Sequence, residues 1–341
     1  MTKFLSAAAI VILLGCNSFQ KTPDISSIEV PLTTVRYEQD FFAIDTLRLD
    51  ISLQKLAGQH PLFTQDFLYN ILATTPQTAA TDVPQFINAY QALYKQTGIK
   101  YASIAKQEAA IKQGLRYVKY YFPSYRLPEQ FITFIGPIDA FAYSQTGGSG
   151  DIITTFGLCA GLQLHLGGNS MVYRSEAGMQ LYPEYISRKF DTDNIAVNCM
   201  KNIIDDIHAP LQLGESMLTL LVDHGKRMYL LDLLLPDAKE EIKLGYTKTQ
   251  LEAVKKSEGF IWNYFNENNL LFEADLLKIR SFVTDGPSTA EFGWGSPGFI
   301  SLYTGRQLIR AYMKKHPETS LNALLALDAN KILYGAGYKP R

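Results

Sequence analysis

The chain has 341 residues, of which 47% are hydrophobic and 19% are charged, and its formal net charge at pH 7 is −1. This composition predicts a sizeable packed core and excludes a chain that is disordered throughout. The near-zero net charge argues against a nucleic-acid partner, because a nucleic-acid surface needs concentrated Lys and Arg.

The N-terminus has the pattern of a secretory signal. Lys3 supplies a positive charge, and residues 7–14 form an apolar run that is far shorter than the roughly 20 residues of a membrane-spanning helix. Leu13-Leu14-Gly15-Cys16 resembles a bacterial lipobox, in which the cysteine is acylated after cleavage. We therefore predict a signal peptide over residues 1–15 and lipidation of Cys16. The alternatives are an ordinary signal peptide or a buried helix with a chance cysteine.

Lipidation would make Cys16 the membrane anchor of the chain, since several acyl chains hold a protein stably on a bilayer. Asn17-Ser18 places no acidic residue after the cysteine, so we expect the outer membrane, facing the periplasm. Residues 16–30 are predicted to form a polar tether, and residues 31–341 one α+β domain.

The first part of this domain is predicted to be a strand followed by helices. Residues 28–30 and 34–37 alternate between apolar and polar side chains, which is typical of a strand. Pro and Gly residues then separate segments with helical patterns. These predicted helices cover residues 50–57, 62–72, 83–96 and 101–122.

The middle of the chain has the composition of a small sheet. Residues 130–136 and 151–156 are rich in β-branched and aromatic side chains and flank the glycine-rich residues 147–150. A hairpin or a small sheet is the natural interpretation. Residues 157–166 are predicted to add a strand, which ends in a turn at 167–169.

From residue 193 the pattern is helical to the end of the chain. One predicted helix has an apolar face made by Ala196, Met200, Ile203 and Ile207, and the next has a stripe made by Met217, Leu221, His224, Met228, Leu231 and Leu235. Thr247-Lys-Thr-Gln250 predicts a capping box that opens a helix to about residue 265. Further helices are predicted over 298–315 and 319–327. The fold class is thus α+β, helix-dominated, with a small central sheet.

Apart from Cys16, the chain has two cysteines, Cys159 and Cys199. Two cysteines in a chain this long do not make a disulfide scaffold. We favour buried free thiols over a bridge between them.

The order of a sheet followed by two helices is the order in which zincin metalloproteases place their metal site. That site needs His-Glu-x-x-His on the first helix, because side chains four residues apart reach one Zn²⁺ together. None of the five histidines is followed by Glu or has a second His four residues on, which excludes a zinc hydrolase of this type. We find no nucleophile with a base and an orienting group, and we expect no catalysis, no metal and no cofactor.

A second metal hypothesis uses Asp205, Asp206, His208, Asp223 and His224. We favour the simpler interpretation, in which the two aspartates are solvated at a helix end and His224 belongs to the core stripe. A neutral, buried His224 predicts that His224→Leu leaves stability roughly unchanged.

Trp294 lies in Gly293-Trp-Gly-Ser-Pro-Gly298. The flanking glycines leave it no neighbouring side chain, so it either fills a gap in the core or points outward. Burial is the simpler interpretation, because Trp is highly buried on average; an outward Trp294 would be a candidate partner contact. Ser296 is predicted to cap a helix that starts at Gly298.

The chain resembles the gliding-motility lipoprotein GldB family. The resemblance rests on the segment from His224-Gly-Lys-Arg-Met-Tyr to Pro236, on Leu244-Gly-Tyr-Thr247, on residues 258–265 and 270–273, and on Ser296-Pro-Gly298 with residues 305–313. It implies a membrane-anchored lipoprotein that is needed for gliding and for type IX protein secretion, whose partners are other envelope proteins of that apparatus. It also implies a distant similarity to zincin-type proteases that have lost their metal ligands, with His224 in place of the glutamate ligand.

Three hypotheses for function follow. The first is a non-catalytic lipoprotein that acts through protein contacts in gliding or secretion, and we favour it. The second is a module that binds an envelope polymer or a small ligand through residues 294–303. The third is a peptide or cell-wall hydrolase with an unrecognised site.

Overall fold

A computed structural model of the protein describes residues 22–139 and 150–340. The predicted signal peptide, the lipidation site Cys16 and most of the glycine-rich turn at 147–150 lie outside the described residues. Ile25 is buried, so part of the segment predicted as a tether packs against the domain.

The described residues form a mixed sheet with strand order β1-β2-β4-β3. The strands are β1 (Thr33–Arg36), β2 (Gln130–Phe134), β3 (Ile152–Ile153) and β4 (Gly157–Gly161). β1, β2 and β4 run parallel, and β3 pairs antiparallel with β4. The small sheet is confirmed, but a hairpin between the segments at 130–136 and 151–156 is wrong, because β2 pairs with β4 instead. All of β4 and most of β2 are buried, as expected for parallel strands covered on both faces.

A helical segment connects β1 to its parallel neighbour β2, as such a crossover requires. Its helices are α1 (Tyr37–Phe42), α2 (Leu49–Gln59), α3 (Pro61–Asp66), α4 (Ala79–Lys100) and α5 (Ala105–Tyr121). Helices α2 to α5 match the predicted segments closely, except that residues 67–71 leave the regular α-helix. Helix α1 was not predicted, and Tyr37, which was assigned to a strand, begins it.

The helices after the sheet are α6 (Met171–Arg174), α7 (Glu176–Leu181), α8 (Glu184–Ser187), α9 (Asn194–Ile207), α10 (Met217–Leu234), α11 (Glu240–Leu244), α12 (Lys248–Lys256), α13 (Glu258–Glu267), α14 (Leu276–Val283), α15 (Ser301–Lys315), α16 (Leu321–Ala326) and α17 (Ala329–Ala336). From residue 193 the described chain is mainly helical, as predicted, but the short helices α6 to α8 before it were not predicted. The capping box of Thr247 and Gln250 is confirmed. The single helix predicted from there to residue 265 is wrong, because α12 ends at Lys256 and α13 begins at Glu258.

Helix α10 lies in the core and carries the predicted stripe; Met217, Leu221 and Leu231 are at most 1% exposed. It crosses α15 at Gly225 and Gly305. A Cβ on Gly225 would lie 2.3 Å from the carbonyl oxygen of Gly305, so the two backbones approach closely only because both residues are glycine. The close packing of α10 against α15 therefore requires glycine at both positions.

Within residues 22–139 and 150–340, no helix is long and apolar enough to cross a bilayer. Cys159 and Cys199 are buried free thiols, as predicted. Burial raises the pKa of both thiols, which keeps them protonated and unreactive. The architecture is α+β and helix-dominated, as the sequence predicts.

Candidate functional site

Asp232 in α10 anchors a group of buried charges. It accepts hydrogen bonds from Arg306 Nε at 2.6 Å and from Arg310 Nη2 at 2.8 Å, and Lys243 Nζ lies 2.7 Å from it. Burial alone would raise the pKa of Asp232, but Arg306, Lys243 and Arg310 hold it below its usual value. This carboxylate therefore stays ionised and joins α10 to α11 and α15, which gives it a structural role.

His224 lies about two turns before Asp232 on α10 and also takes part in packing. Its Nδ1 is 2.8 Å from the Oγ of Ser301, and its ring meets Phe299 edge-on at 4.9 Å. Burial, with the nearby Arg227, lowers its pKa to about 4 although Asp223 opposes the shift, so the imidazole is neutral at pH 7. Interpreting His224 as an apolar stripe residue was incomplete, because the buried Ser301 hydroxyl depends on it.

Three of the five residues in the second metal hypothesis lie together, but a cation already fills the space between their carboxylates. Arg227 pairs with Asp223 at 2.9 Å and with Asp205, and His208 Nε2 is 2.9 Å from Asp223. Burial would raise the pKa of Asp223, but the hydrogen bonds of His208 and Arg227 lower it to about 2. Among the described residues no group of three or more His, Cys, Asp or Glu side chains is arranged for a metal.

Asp206 and His224 lie apart from this group. Tyr125 donates a hydrogen bond to Asp206 at 2.6 Å, so Asp206 is not simply solvated at a helix end. His224 faces Ser301 instead of the carboxylates.

A buried ion pair between Asp151 and His165 has no counterpart among the sequence predictions. Nε2 of His165 is 2.8 Å from Asp151 Oδ2, Asn198 Nδ2 donates to the same oxygen at 2.7 Å, and Asn202 Nδ2 donates to the Asp151 carbonyl at 3.0 Å. The two asparagines, four residues apart on α9, are the signal that could have revealed it. The network joins the start of β3 to α9.

The second ring nitrogen of His165, Nδ1, is 3.0 Å from the carbonyl oxygen of Asp191. Burial would lower the pKa of His165, but Asp151 and the Asp191 carbonyl raise it. Both ring nitrogens are therefore occupied in a protonated imidazole, and none is free to act as a general base. The pair stabilises the fold around the sheet edge.

Trp294 is 88% exposed, so the interpretation as a buried core residue is wrong. Gly293 has φ +78°, and no atom lies within 4 Å of a Cβ built on Gly293 or Gly295. The backbone on both sides of Trp294 therefore faces open space. We call residues 289–299 the Trp294 loop. Trp294 is its exposed aromatic side chain.

The Trp294 loop is held by buried hydrogen bonds. Ser296 Oγ accepts from Thr289 N at 3.1 Å and lies within donating distance of the Thr289 and Gly293 carbonyls, while Thr289 Oγ1 donates to the Pro297 carbonyl at 2.7 Å. The Ser296 side chain thus stabilises the loop. Its predicted role as a helix cap is wrong, because α15 begins only at Ser301. The indole is presented from a fixed backbone.

Aromatic side chains of α13 contact Phe292 of the Trp294 loop. Phe260 is 64% exposed and its ring centroid lies 5.9 Å from that of Phe292, which also meets Tyr264 at 5.2 Å. Tyr303, in contrast, is buried and donates to Glu258 at 2.5 Å. The predicted binding stretch at 294–303 therefore offers Trp294 but not Tyr303.

The comparisons with known proteins give one family. Neither the curated proteins nor the solved structures include a match to this chain. The model of the family described as gliding motility protein GldB matches residues 18–340, nearly the whole chain. The chain therefore belongs to the GldB gliding-motility family.

Proposed function

We propose that this protein is a non-catalytic lipoprotein that supports gliding motility and type IX secretion through contacts with other envelope proteins. Membership of the GldB family supports the role in gliding. Asp232 and Arg306 lie in two of the segments that resemble the family, and they form an ion pair with each other inside the fold. This structural use of their charges favours a role without catalysis.

Membrane attachment through Cys16 completes the proposal. Ile25, the ninth residue after Cys16, is already buried in the domain. Nine residues span at most about 30 Å when fully extended, so a lipid on Cys16 would keep the domain close to the bilayer. We place the domain on the periplasmic side of the outer membrane.

The exposed Trp294 on its fixed loop is the observation that carries the protein-contact proposal. Trp is enriched among interface residues whose truncation costs about 2 kcal/mol or more. A rigid loop loses little conformational freedom on binding, so more of the contact energy remains as affinity. The neighbouring Phe260 and Phe292 extend the apolar surface that a partner would cover.

The test is Trp294→Ala in the native host, scored for colony spreading, secretion and recovery of cross-linked envelope partners. We expect roughly 30-fold weaker partner binding and loss of spreading, with little change in melting temperature. Leu47→Ala is the matched control, because Leu47 is 94% exposed on the N-terminal helices. Trp262→Ala, which truncates a buried Trp, shows what a folding defect looks like.

Normal spreading of the Trp294→Ala strain would refute the contact proposal. A large drop in thermal stability with partners still recovered would show that Trp294 acts in folding. Loss of spreading in the Leu47→Ala control as well would show that the effect is not specific to the loop.

We also infer that the scaffold derives from a zincin-type hydrolase whose metal ligands are gone. The antiparallel edge strand β3, which packs against α9, and the packing of α9 against α10 support this. Asn198 and Asn202 have the i, i+4 spacing of the two zincin histidines, and their amides bind Asp151.

A further inference from the structure

A group of positive side chains lies around Asp285, in the segment just before the Trp294 loop. Lys189 forms an ion pair with Asp285, and the side chains are 28% and 30% exposed. Arg188 and Lys201 both lie within electrostatic range of Asp285. Asp285 is therefore the carboxylate that all three cations share, where the end of α8, helix α9 and the loop after α14 meet. Glu184 also acts on Arg188, and Asp205 also acts on Lys201. We call Asp285 and the three cations the Asp285 cluster.

Two of these cations lack a bonded counter-ion. Lys201 makes no hydrogen bond or ion pair with any described residue, although it is partly buried. Arg188 forms no ion pair with the described carboxylates, and its Nη2 donates only to the Gly245 carbonyl at 3.0 Å. Guanidinium groups that are removed from water usually face a carboxylate or a phosphate.

Unpaired hydrogen-bond donors lie on Arg188 itself and on the residue before it. The Nε of Arg188 and the Oγ of the preceding Ser187 are both buried and have no partner among the described residues. Ser187 is 0% exposed. Buried polar atoms are nearly always bonded, so two adjacent orphans beside unpaired cations indicate a missing acceptor that carries negative charge.

The electrostatics agree with a missing anion. Burial and the neighbouring Lys189 lower the pKa of Lys201 to about 8, although Asp285 and Asp205 oppose the shift. Burial also lowers the pKa of Arg188, and the carboxylates of Asp285 and Glu184 offset this only in part. Both pKa shifts indicate that the nearby carboxylates do not fully balance the positive charges of Arg188 and Lys201.

We propose that the Asp285 cluster, with Ser187, binds a phosphate group, with Arg188 and Lys201 as its cationic ligands. Phosphate offers several acceptor oxygens, and arginine and lysine are the side chains that recognise it best. In the cell envelope such a group occurs as free phosphate or in a lipid headgroup. This site is independent of the partner contact proposed for Trp294.

The test uses the full mature lipoprotein in a maltoside detergent, which carries no phosphate. Inorganic phosphate is expected to raise the melting temperature relative to chloride at equal ionic strength, because a ligand of the folded state stabilises it. Calorimetry is expected to show that Lys201→Met weakens phosphate binding at least about tenfold. Lys201→Arg restores most of it. Lys112→Met is the matched control, a partly exposed lysine on α5.

Glycerol 3-phosphate separates the two sources of the group. Tighter binding of this probe than of inorganic phosphate would support a lipid headgroup, and the reverse would support the free ion. Stabilisation equal to that by chloride, or equal phosphate affinity of Lys201→Met and the wild type, would overturn the proposal. If Lys201→Met does not fold, calorimetric phosphate binding by the wild type and by Lys201→Arg decides the question, because phosphate also raises melting temperatures without binding.

Discussion

Replacement of Asp232 by asparagine tests whether the segment from His224 to Pro236, which resembles the GldB family, stabilises the fold. The change keeps the shape of the side chain but removes the charge that faces Arg306, Lys243 and Arg310. Asp232 is 13% exposed and Arg306 is 3% exposed. Breaking one partner of a buried pair costs about 3–5 kcal/mol.

The expected cost is at the lower end of that range, about 3 kcal/mol. Arg310 is 36% exposed, so water screens its attraction to Asp232. Arg306 also keeps its hydrogen bond to Glu240 at 2.5 Å when Asp232 is replaced. With an unfolding entropy of about 2.1 cal/mol/K per residue over roughly 320 residues, this loss lowers the melting temperature by about 4–5 °C.

The assay is urea unfolding followed by circular dichroism, with Asp237→Asn as the control. Asp237 is exposed near the end of the same helix, so its replacement is expected to stay within about 0.5 kcal/mol of the wild type. A loss below about 1 kcal/mol for Asp232→Asn would refute the structural interpretation of this cluster.

Acid provides a second check on Asp232. Its pKa is lower in the folded protein than in the unfolded chain, so its contribution to stability is present above the unfolded value of about 3.9 and is lost as the pH falls through the folded value. The stability difference between the wild type and Asp232→Asn is therefore expected to narrow below about pH 4. A difference that stays constant down to pH 2 would contradict the assigned role.

Four further outcomes are expected. Cys16→Ser abolishes labelling by a fatty-acid analogue and leaves an uncut or soluble species; label that persists would refute the lipobox. The purified protein holds no stoichiometric zinc, and chelators leave its melting temperature unchanged; about one mole of tightly held zinc per mole would overturn the non-catalytic proposal. His224→Leu leaves the buried Ser301 hydroxyl unpaired and costs about 1–3 kcal/mol, while gliding persists; a folded variant that does not glide would make His224 functional. Gly305→Ala places a Cβ 2.0 Å from the Leu221 carbonyl oxygen and costs about 3 kcal/mol; an unchanged urea midpoint would contradict the close crossing.

The sequence predicts the helices well because their signals are local. The apolar face of Met200 and Ile203, and the capping box of Thr247, depend only on residues within one or two turns. The pairing of β2 with β4 depends on contacts between distant segments, which periodicity does not encode. The break at Ser257 was missed because the helical pattern continues on both sides of it.

The groups of the candidate sites could be predicted only in part, for a related reason. Glycines at 293 and 295 leave Trp294 without local neighbours, and the sequence does not say whether a distant element covers it. The pair Asp151–His165 joins a strand to a loop, so no spacing rule finds it. The asparagine pair of α9 was the one local sign of this network.

The segment that identifies the family is explained by packing. Gly225 and Gly305 allow α10 and α15 to cross closely, and Asp232 neutralises Arg306 inside the fold. Such requirements hold for any function that this scaffold carries, so they identify the fold and leave the activity open.

The function is better sought in side chains that do not stabilise the fold. Trp294 exposes apolar surface, and Lys201 is partly buried without a bonded counter-ion; both are unfavourable in the isolated chain. A partner over Trp294 and an anion beside Lys201 would remove these costs, which is why we place the interactions of the protein there.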